Sequence, residues 1–431
     1  MYYDWERLGN AEEDLIARGI RECRAFDGPY HLIIFPTDRC NFSCYFCYGK
    51  DNKSELEWDV LKRVLESSLT RGCRGISIAG GGEPLVYGKF HLLLDFLEQH
   101  SLRLYAFTTN GSLLTSDIAS RLCERDMRWM TVSLNETDAA AHAKMCGSSA
   151  KSFDAILRGI ERTLDARKRY HTALEIRAQI FVYKGNFRRI LNMISFALET
   201  KVDYVFVNTL DGLPQEQRMS EKEKEELKEY LSEALKHFAP KLQFRMTEEG
   251  LQRFVEQEQA KYAPEAVQLP DMCPQKYRVE YCYIGWHALQ VTSNGLVFPC
   301  CLISGDRRCS VGNIYQRPLW DIWNGKDMQA FRREMRHLLL TRADKNLMRR
   351  NPRFIVPICQ ERAACNLNFF LCSPAFYERM DEWAEKYRKN YMFVQRIKIR
   401  AYSFLRSIPL CKNLYHLVRN PGFSMGKEPK K

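Results

Sequence analysis

Pro36–Gly49 reads PTDRCNFSCYFCYG and sets Cys40, Cys44 and Cys47 in the spacing Cys-x3-Cys-x2-Cys. Three thiols this close can hold a metal or a cluster, but a closed tetrahedral site needs a fourth ligand. The next cysteine, Cys73, lies beyond a strongly helical stretch. For a zinc finger that is a defect. For a 4Fe–4S cluster that must bind a small molecule on one iron, an open position is the requirement. On spacing alone, a zinc site and three unrelated buried cysteines stay open as alternatives.

Working outward, the stretch directly follows a β-rich run, His31–Phe35. Five more such runs come after it: Gly75–Ala79, Arg103–Thr108, Trp129–Leu134, Glu175–Val182 and Tyr204–Asn208. Helical patterns separate them at Glu57–Ser68, Lys89–Gln99, Ser116–Arg125, Ser152–Lys168 and Phe187–Thr200. Strands alternating with helices of this length predict βα repeats and a parallel sheet. The fold expected is α/β, a partial (β/α)6 TIM-type barrel over residues 30–213, with ligands at the C-terminal ends of its strands. Three further segments fall at such ends. Gly80-Gly81-Gly82-Glu83-Pro84 follows the second strand; its glycines let the backbone approach a ligand, and Glu83 can pair with an ammonium group. TTNGSLL (Thr108–Leu114) and TVSLN (Thr131–Asn135) close the third and fourth strands. Arg177, on the fifth, either meets a carboxylate or is an ordinary barrel-lining or surface arginine.

These segments together resemble the radical S-adenosylmethionine (radical SAM) enzymes, whose signature has this cysteine spacing and an aromatic residue, here Phe46, before the last cysteine. The resemblance implies a cluster whose fourth iron chelates the amino and carboxylate groups of S-adenosylmethionine. One electron then cleaves the sulfonium, and the 5′-deoxyadenosyl radical released abstracts hydrogen from a substrate. It also implies that Gly81, Gly82 and Glu83 hold the methionine amino group. Asn110 and Ser133 would face the ribose and methionine, and a donor such as flavodoxin or ferredoxin would supply the electron. No residue identifies a catalytic acid or a second radical relay.

A second cysteine region begins at Cys282, followed by twelve residues, Gly295, four residues and Cys300. Between them HALQVTSNGLVFP predicts a hairpin turning at Asn294-Gly295. VGNIYQRPLWDIWN (Val311–Asn324) comes next, and VPICQERAACN then supplies Cys359 and Cys365. This stretch resembles the SPASM/twitch extension of radical SAM enzymes, a small Cys-rich α+β domain holding auxiliary 4Fe–4S clusters. Val356 and Phe369 stand where a full SPASM domain has cysteines, so one auxiliary cluster is expected, on Cys282, Cys300, Cys359 and Cys365. Cys273 and Cys372 are the reserves, and Cys301 and Cys309 are expected to have no ligand role. A structural zinc on the same thiols stays open. Four protein thiolates would make the site an electron conduit; an open iron would let it bind substrate.

Composition frames these motifs. The chain has 431 residues, 45% hydrophobic, with a formal net charge of +12. No run of 18 apolar residues occurs, as a membrane-spanning helix would need. The acidic start, MYYDWERLGNAEEDL, does not suit a secretory signal, so a cytoplasmic setting is expected. Sixteen cysteines in a reducing compartment point to ligands or catalysis. The isolated Cys23, Cys73, Cys123, Cys146 and Cys411 are read as packing residues. Nearly all the net charge, +10, lies in residues 387–431.

The expected organisation is an N-terminal extension (1–29), the barrel (30–213), a helical linker (214–268), the auxiliary domain (269–375) and a basic helical tail (376–431). Within the linker, Met219–Phe238 reads as a charged bridge with Glu/Lys pairs at helical spacing. For the tail the readings rank as docking on the chain's own domains, then a membrane surface through residues 387–431, then nucleic acid. The substrate expected is a sugar, aminocyclitol or lipid-linked small molecule, oxidised or rearranged, since about 28 residues before the barrel are few for a peptide-binding winged helix. A peptide- or protein-modifying maturase is the alternative. A non-enzymatic zinc-binding adaptor, docking to membrane or nucleic acid, is the rival from another class.

Overall fold

The computed structural model describes residues 8–47, 52–125, 127–210, 218–246, 250–262, 283–341, 354 and 374–407. In chain order these form α1 (Asn10–Glu22), β1 (His31–Ile34), α2 (Trp58–Leu69), β2 (Gly75–Ile78), α3 (Phe90–Gln99), β3 (Arg103–Thr109), α4 (Ser116–Glu124), β4 (Trp129–Ser133), α5 (Ala139–Cys146) and α6 (Ala150–Tyr170). There follow β5 (Glu175–Val182), α7 (Ile190–Glu199), β6 (Tyr204–Thr209), α8 (Glu221–Phe238), β7 (Leu242–Arg245) and α9 (Leu251–Tyr262). The last group is β8 (Ala288–Val291), β9 (Leu296–Phe298), β10 (Gly312–Asn313), α10 (Leu319–Trp323), α11 (Lys326–Thr341) and α12 (Pro374–Ser407). The six barrel strands lie within one residue of their expected ends.

Among the described residues the strands make one sheet, in the order β10-β9-β8-β1-β2-β3-β4-β5-β6-β7. All neighbours from β1 to β7 are parallel. Side chains alternate across a strand, and the register sorts them into two faces. Leu32, Ile76, Met130, Ile176, Val205 and Val207 share the outer face and are fully buried. Helices cover it; Phe90 of α3, for example, packs on Phe107 of β3. The inner face carries polar residues in register, with Thr131 beside Arg177, Ser133 beside Gln179 and Phe181 beside Asn208.

The sheet runs past six strands at both edges. At one edge, residues expected as a linker supply β7, parallel to β6, with α8 and α9 packed together. The charged bridge is therefore corrected. Leu227, Leu231, Ala234 and Leu235 form a fully buried stripe along α8, and a Ser220/Glu223 capping box starts the helix. The exposed Glu/Lys face masked that stripe in the sequence.

At the other edge, β8 lies parallel to β1, pairing His31 with Ala288 and Ile33 with Gln290. The expected hairpin thus continues the barrel sheet. Its turn is held by Asn294, whose Oδ1 accepts from Leu296 N at 3.2 Å, and Gly295 takes φ +77°.

α12 extends the expected Phe376–Tyr387 helix into the basic tail. Its first half docks: Phe376, Met380 and Ala384 are buried, Arg379 pairs with Glu13 and Asp14, and Tyr391 meets His337. Farther along, Phe393 is 65% exposed and Ile397 49%. No helix among the described residues is long and apolar enough to cross a membrane.

Candidate active site

The chain leaves β1 into the cysteine loop, and the strand end after β2 is sewn onto it. Gly82 N donates to Thr37 O at 3.1 Å and Glu83 N to Arg39 O at 2.9 Å. A Cβ on Gly81 would stand 2.2 Å from Asp38 Oδ1, and one on Gly82 2.1 Å from Arg39 O. These glycines were expected to make room for a ligand; what they admit first is the cysteine loop itself.

Glu83 is 1% exposed. Its Oε1 accepts from Leu85 N at 3.1 Å and from Thr109 Oγ1 at 2.7 Å; its Oε2 accepts from Asn110 N at 2.6 Å. Burial raises its pKa to about 6, a rise partly offset by the Asn110, Thr109 and Leu85 donors. No salt bridge reaches it among the described residues, so the carboxylate is buried without a counter-charge. A cation such as an ammonium group fits that deficit.

Asn110 joins the two segments. Its backbone N–H holds Glu83, and its Nδ2 donates to Asn41 Oδ1 at 2.8 Å while lying 3.9 Å from Cys40 Sγ. Phe42 N also donates to Cys40 Sγ, at 3.4 Å. Phe46 packs on Phe181 at the end of β5, with ring centroids 5.6 Å apart, and Tyr45 meets Tyr183 at the same separation. The loop is thus pinned at both ends. Cys40 is exposed, and Cys44 and Cys47 are half-buried. Among the described residues no group of three His, Cys, Asp or Glu stands close enough to hold a metal ion, so a cluster would draw these thiols inward.

Ser133 ends β4 on the inner face. Arg177 lies on the inner face, where it pairs with Glu175 at 2.5 Å and stacks over Trp129 at 4.6 Å. Sequence reading missed the rest of the inner wall, namely Ser77, Gln179, Asn208 and Gln290. The signal available was a polar residue alternating with apolar ones, as in EIRAQIFV and ALQV. Gln290 is fully buried, yet among the described residues neither amide atom has a hydrogen-bond partner; Ser77 Oγ and Asn208 Oδ1 also lack one there.

Of the auxiliary thiols, Cys300 is buried just after β9, with Cys309 buried and Cys301 half-buried nearby. Cys282, Cys359 and Cys365, with the reserves Cys273 and Cys372, lie outside the described residues.

A three-cysteine loop at the C-terminal rim of a parallel barrel, tied to a Gly-Gly-Glu strand end, defines the class of proteins that start radical chemistry from an iron–sulfur cluster. Residues 34–197 match the family model described as Radical SAM superfamily, and 282–348 match that of the iron-sulfur cluster-binding domain SPASM. The chain carries a radical SAM domain and a SPASM-type domain, which together imply a 4Fe–4S cluster, S-adenosylmethionine and auxiliary iron–sulfur binding.

A probable GTP 3′,8-cyclase of Sulfurisphaera tokodaii is 31% identical over 170 residues, covering 39% of this chain and 51% of that protein. Mycofactocin maturase MftC of Mycolicibacterium smegmatis is 30% identical over 146 residues, covering 33% and 36%. The chain spans about half the length of the first of these relatives and less of the second. Among solved structures, Streptococcus suis SuiB bound to S-adenosylmethionine aligns over 80% of both chains with TM-score 0.54 and 18% identity. That likeness concerns the fold.

Proposed function

We propose that this chain reductively cleaves S-adenosylmethionine and abstracts hydrogen from a small, polar, hydroxyl-bearing substrate held against the inner face of the barrel. The observation that carries the reading is the junction at Asn110, where one residue binds the Glu83 carboxylate and the Cys40 loop. Cys40, Cys44 and Cys47 would hold the catalytic cluster, leaving one iron for S-adenosylmethionine. When bound, that pair supplies a 5′-deoxyadenosyl radical after one-electron reduction by a flavodoxin or ferredoxin. Glu83 offers its uncompensated charge to the methionine ammonium, Gly81 and Gly82 keep the strand end against the cluster loop, and Phe46 fixes that loop on β5. Ser133 faces the bound molecule from the β4 end.

Ser77, Thr131, Gln179, Asn208 and Gln290 give the wall hydrogen-bonding capacity without net charge, which supports a hydroxyl-rich substrate such as a sugar or aminocyclitol, free or lipid-linked. One auxiliary 4Fe–4S cluster on Cys282, Cys300, Cys359 and Cys365 would relay an electron. The exposed Phe393, Val394 and Ile397 among Arg396, Lys398 and Arg400 support contact of the tail with an anionic membrane surface from the cytoplasm.

Anaerobic reconstitution with iron and sulfide tests the core of this reading. Two 4Fe–4S clusters and dithionite-driven formation of 5′-deoxyadenosine are expected; stoichiometric zinc, or an intact cluster without cleavage, overturns it. Deuterium transfer from a labelled sugar nucleotide or aminocyclitol into 5′-deoxyadenosine supports the substrate class, and transfer from a peptide alone refutes it. Co-sedimentation with phosphatidylglycerol vesicles, lost on truncation after Tyr391, checks the tail.

A further inference from the structure

Along α11 the buried stripe runs Met328, Phe331, Met335, Leu338 and Leu339 at helical spacing, and Arg332 stands inside it, 0% exposed. An arginine is almost never fully buried unless it is paired. Its guanidinium is fixed on two sides. Nε donates to Gly285 O at 2.7 Å, and the group lies over the Trp323 ring at 4.3 Å. Gly285 permits this packing, because a Cβ there would stand 2.8 Å from Cε1 of the Phe331 ring. Among the described residues Nη1 and Nη2 have no hydrogen-bond partner, and no salt bridge reaches the group. Burial lowers its pKa to about 9, so it stays charged at neutral pH. A buried cation without a counter-charge is costly, and an anion beside it removes that cost.

Chain connectivity and strand register say which anion is at hand. Gly285 follows Cys282 by three residues, a separation of at most about 11 Å along the backbone. β8 and β9 pair Gln290 with Phe298 and Val291 with Val297. Continued by two residues, that register brings Cys300, whose backbone is itself extended, opposite Ala288. Ala288 lies three residues past Gly285. Two of the expected auxiliary ligands thus converge on the turn that Arg332 grips. A 4Fe–4S cluster held by four thiolates is an anion, and its potential responds to the charges around it. We infer that Arg332 is the counter-charge of the auxiliary cluster and raises the potential at which that cluster accepts an electron. The inference rests on the reading of Cys282 and Cys300 as ligands of that cluster. The sign follows from charge. Reduction makes the cluster more negative, and a fixed cation in a poorly solvated interior stabilises the reduced state more than the oxidised one. Arg332 binds no iron and touches no reacting atom; it acts through its field. An arginine retained only for packing would have no effect on the potential.

The test uses the full chain, reconstituted anaerobically with iron and sulfide, with midpoint potentials followed by electron paramagnetic resonance. The auxiliary cluster is the one whose signal S-adenosylmethionine leaves unchanged and which survives replacement of Cys40, Cys44 and Cys47 by Ala. Arg332→Met keeps the bulk and removes the charge, and is expected to lower that cluster's potential. Arg332→Lys keeps the charge and is expected to hold the potential close to the wild-type value. A loaded Arg332→Met with the wild-type potential overturns the inference, as do methionine and lysine variants shifted equally, which would mark a packing effect. Should Arg332→Met take up no auxiliary cluster, the lysine variant decides. Uptake by Arg332→Lys shows that the charge is what the cluster needs, and failure of both variants refutes the assignment. A wild-type protein without an auxiliary iron–sulfur cluster defeats the underlying ligand reading, a result distinct from a loaded cluster of unchanged potential.

Discussion

On β5, Ile176, Ala178, Ile180 and Val182 point toward the helices and are buried, while Glu175, Arg177, Gln179 and Phe181 between them face inward and stay half-buried. The same alternation recurs on β2, where Ser77 is flanked by Ile76 and Ile78, and on β8, where Gln290 is flanked by Leu289 and Val291. Neighbouring residues on one strand thus serve different ends. The outer set supplies apolar burial, and the inner set holds polar groups, several of which have no hydrogen-bond partner among the described residues. Stability and chemistry are separated by one residue of register, so a one-residue slip would exchange them.

The largest effect that sharpens this contrast lies at the rim of the inner face. Replacing Cys40, Cys44 and Cys47 by Ala should abolish 5′-deoxyadenosine formation while leaving about half of the iron, measured by chemical iron analysis, and should move the melting temperature little. On the outer face the expected loss is of folding rather than chemistry. Ile180→Ala removes a fully buried side chain and should cost about 2–5 kcal/mol in chemical denaturation. Gln179→Ala next to it should stay within about 0.5 kcal/mol while lowering product formation. Equal stability losses for the two would break the contrast.

Glu83 gives a third test, through pH. The folded protein keeps its proton to about pH 6, whereas the unfolded chain releases it near the ordinary value of 4.5. The folded state therefore binds more protons between those values, and stability should fall as pH rises through that window, by about 2 kcal/mol. Glu83→Gln should flatten that part of the profile in urea titrations at stepped pH. The smallest effect is expected at Gln290. Gln290→Met keeps the shape but removes two unpartnered amide atoms, and should raise stability by about 1 kcal/mol while slowing substrate turnover. A lower melting temperature would show that the amide is satisfied in solution.

Much of this was legible in the sequence because it is local. Strand periodicity, the cysteine spacing, the Gly-Gly-Glu turn and the Asn-Gly hairpin each declare themselves within a few residues. What escaped is what depends on distant partners. β7 is four residues long, Leu242–Arg245, too short to show a period, and only its pairing with β6 makes it a strand. The apolar stripe of α8 was hidden by the charge around it. Arg177 could be placed only once Glu175 and Trp129 were seen beside it.

The pairing of β8 with β1 has a mechanical consequence. His31 through Ile34 are zipped on one side to β2 and on the other to β8, and Phe35 N donates to Val291 O at 2.9 Å just before the cysteine loop begins. The hairpin and the catalytic loop therefore share one stiff beam rather than a hinge. A pull on the hairpin, whether from a docking electron donor or from tension along the tail, would be transmitted through β1 to the base of the loop. The distance for an electron passing between the two halves would be kept constant by backbone hydrogen bonds, whatever the surrounding helices do.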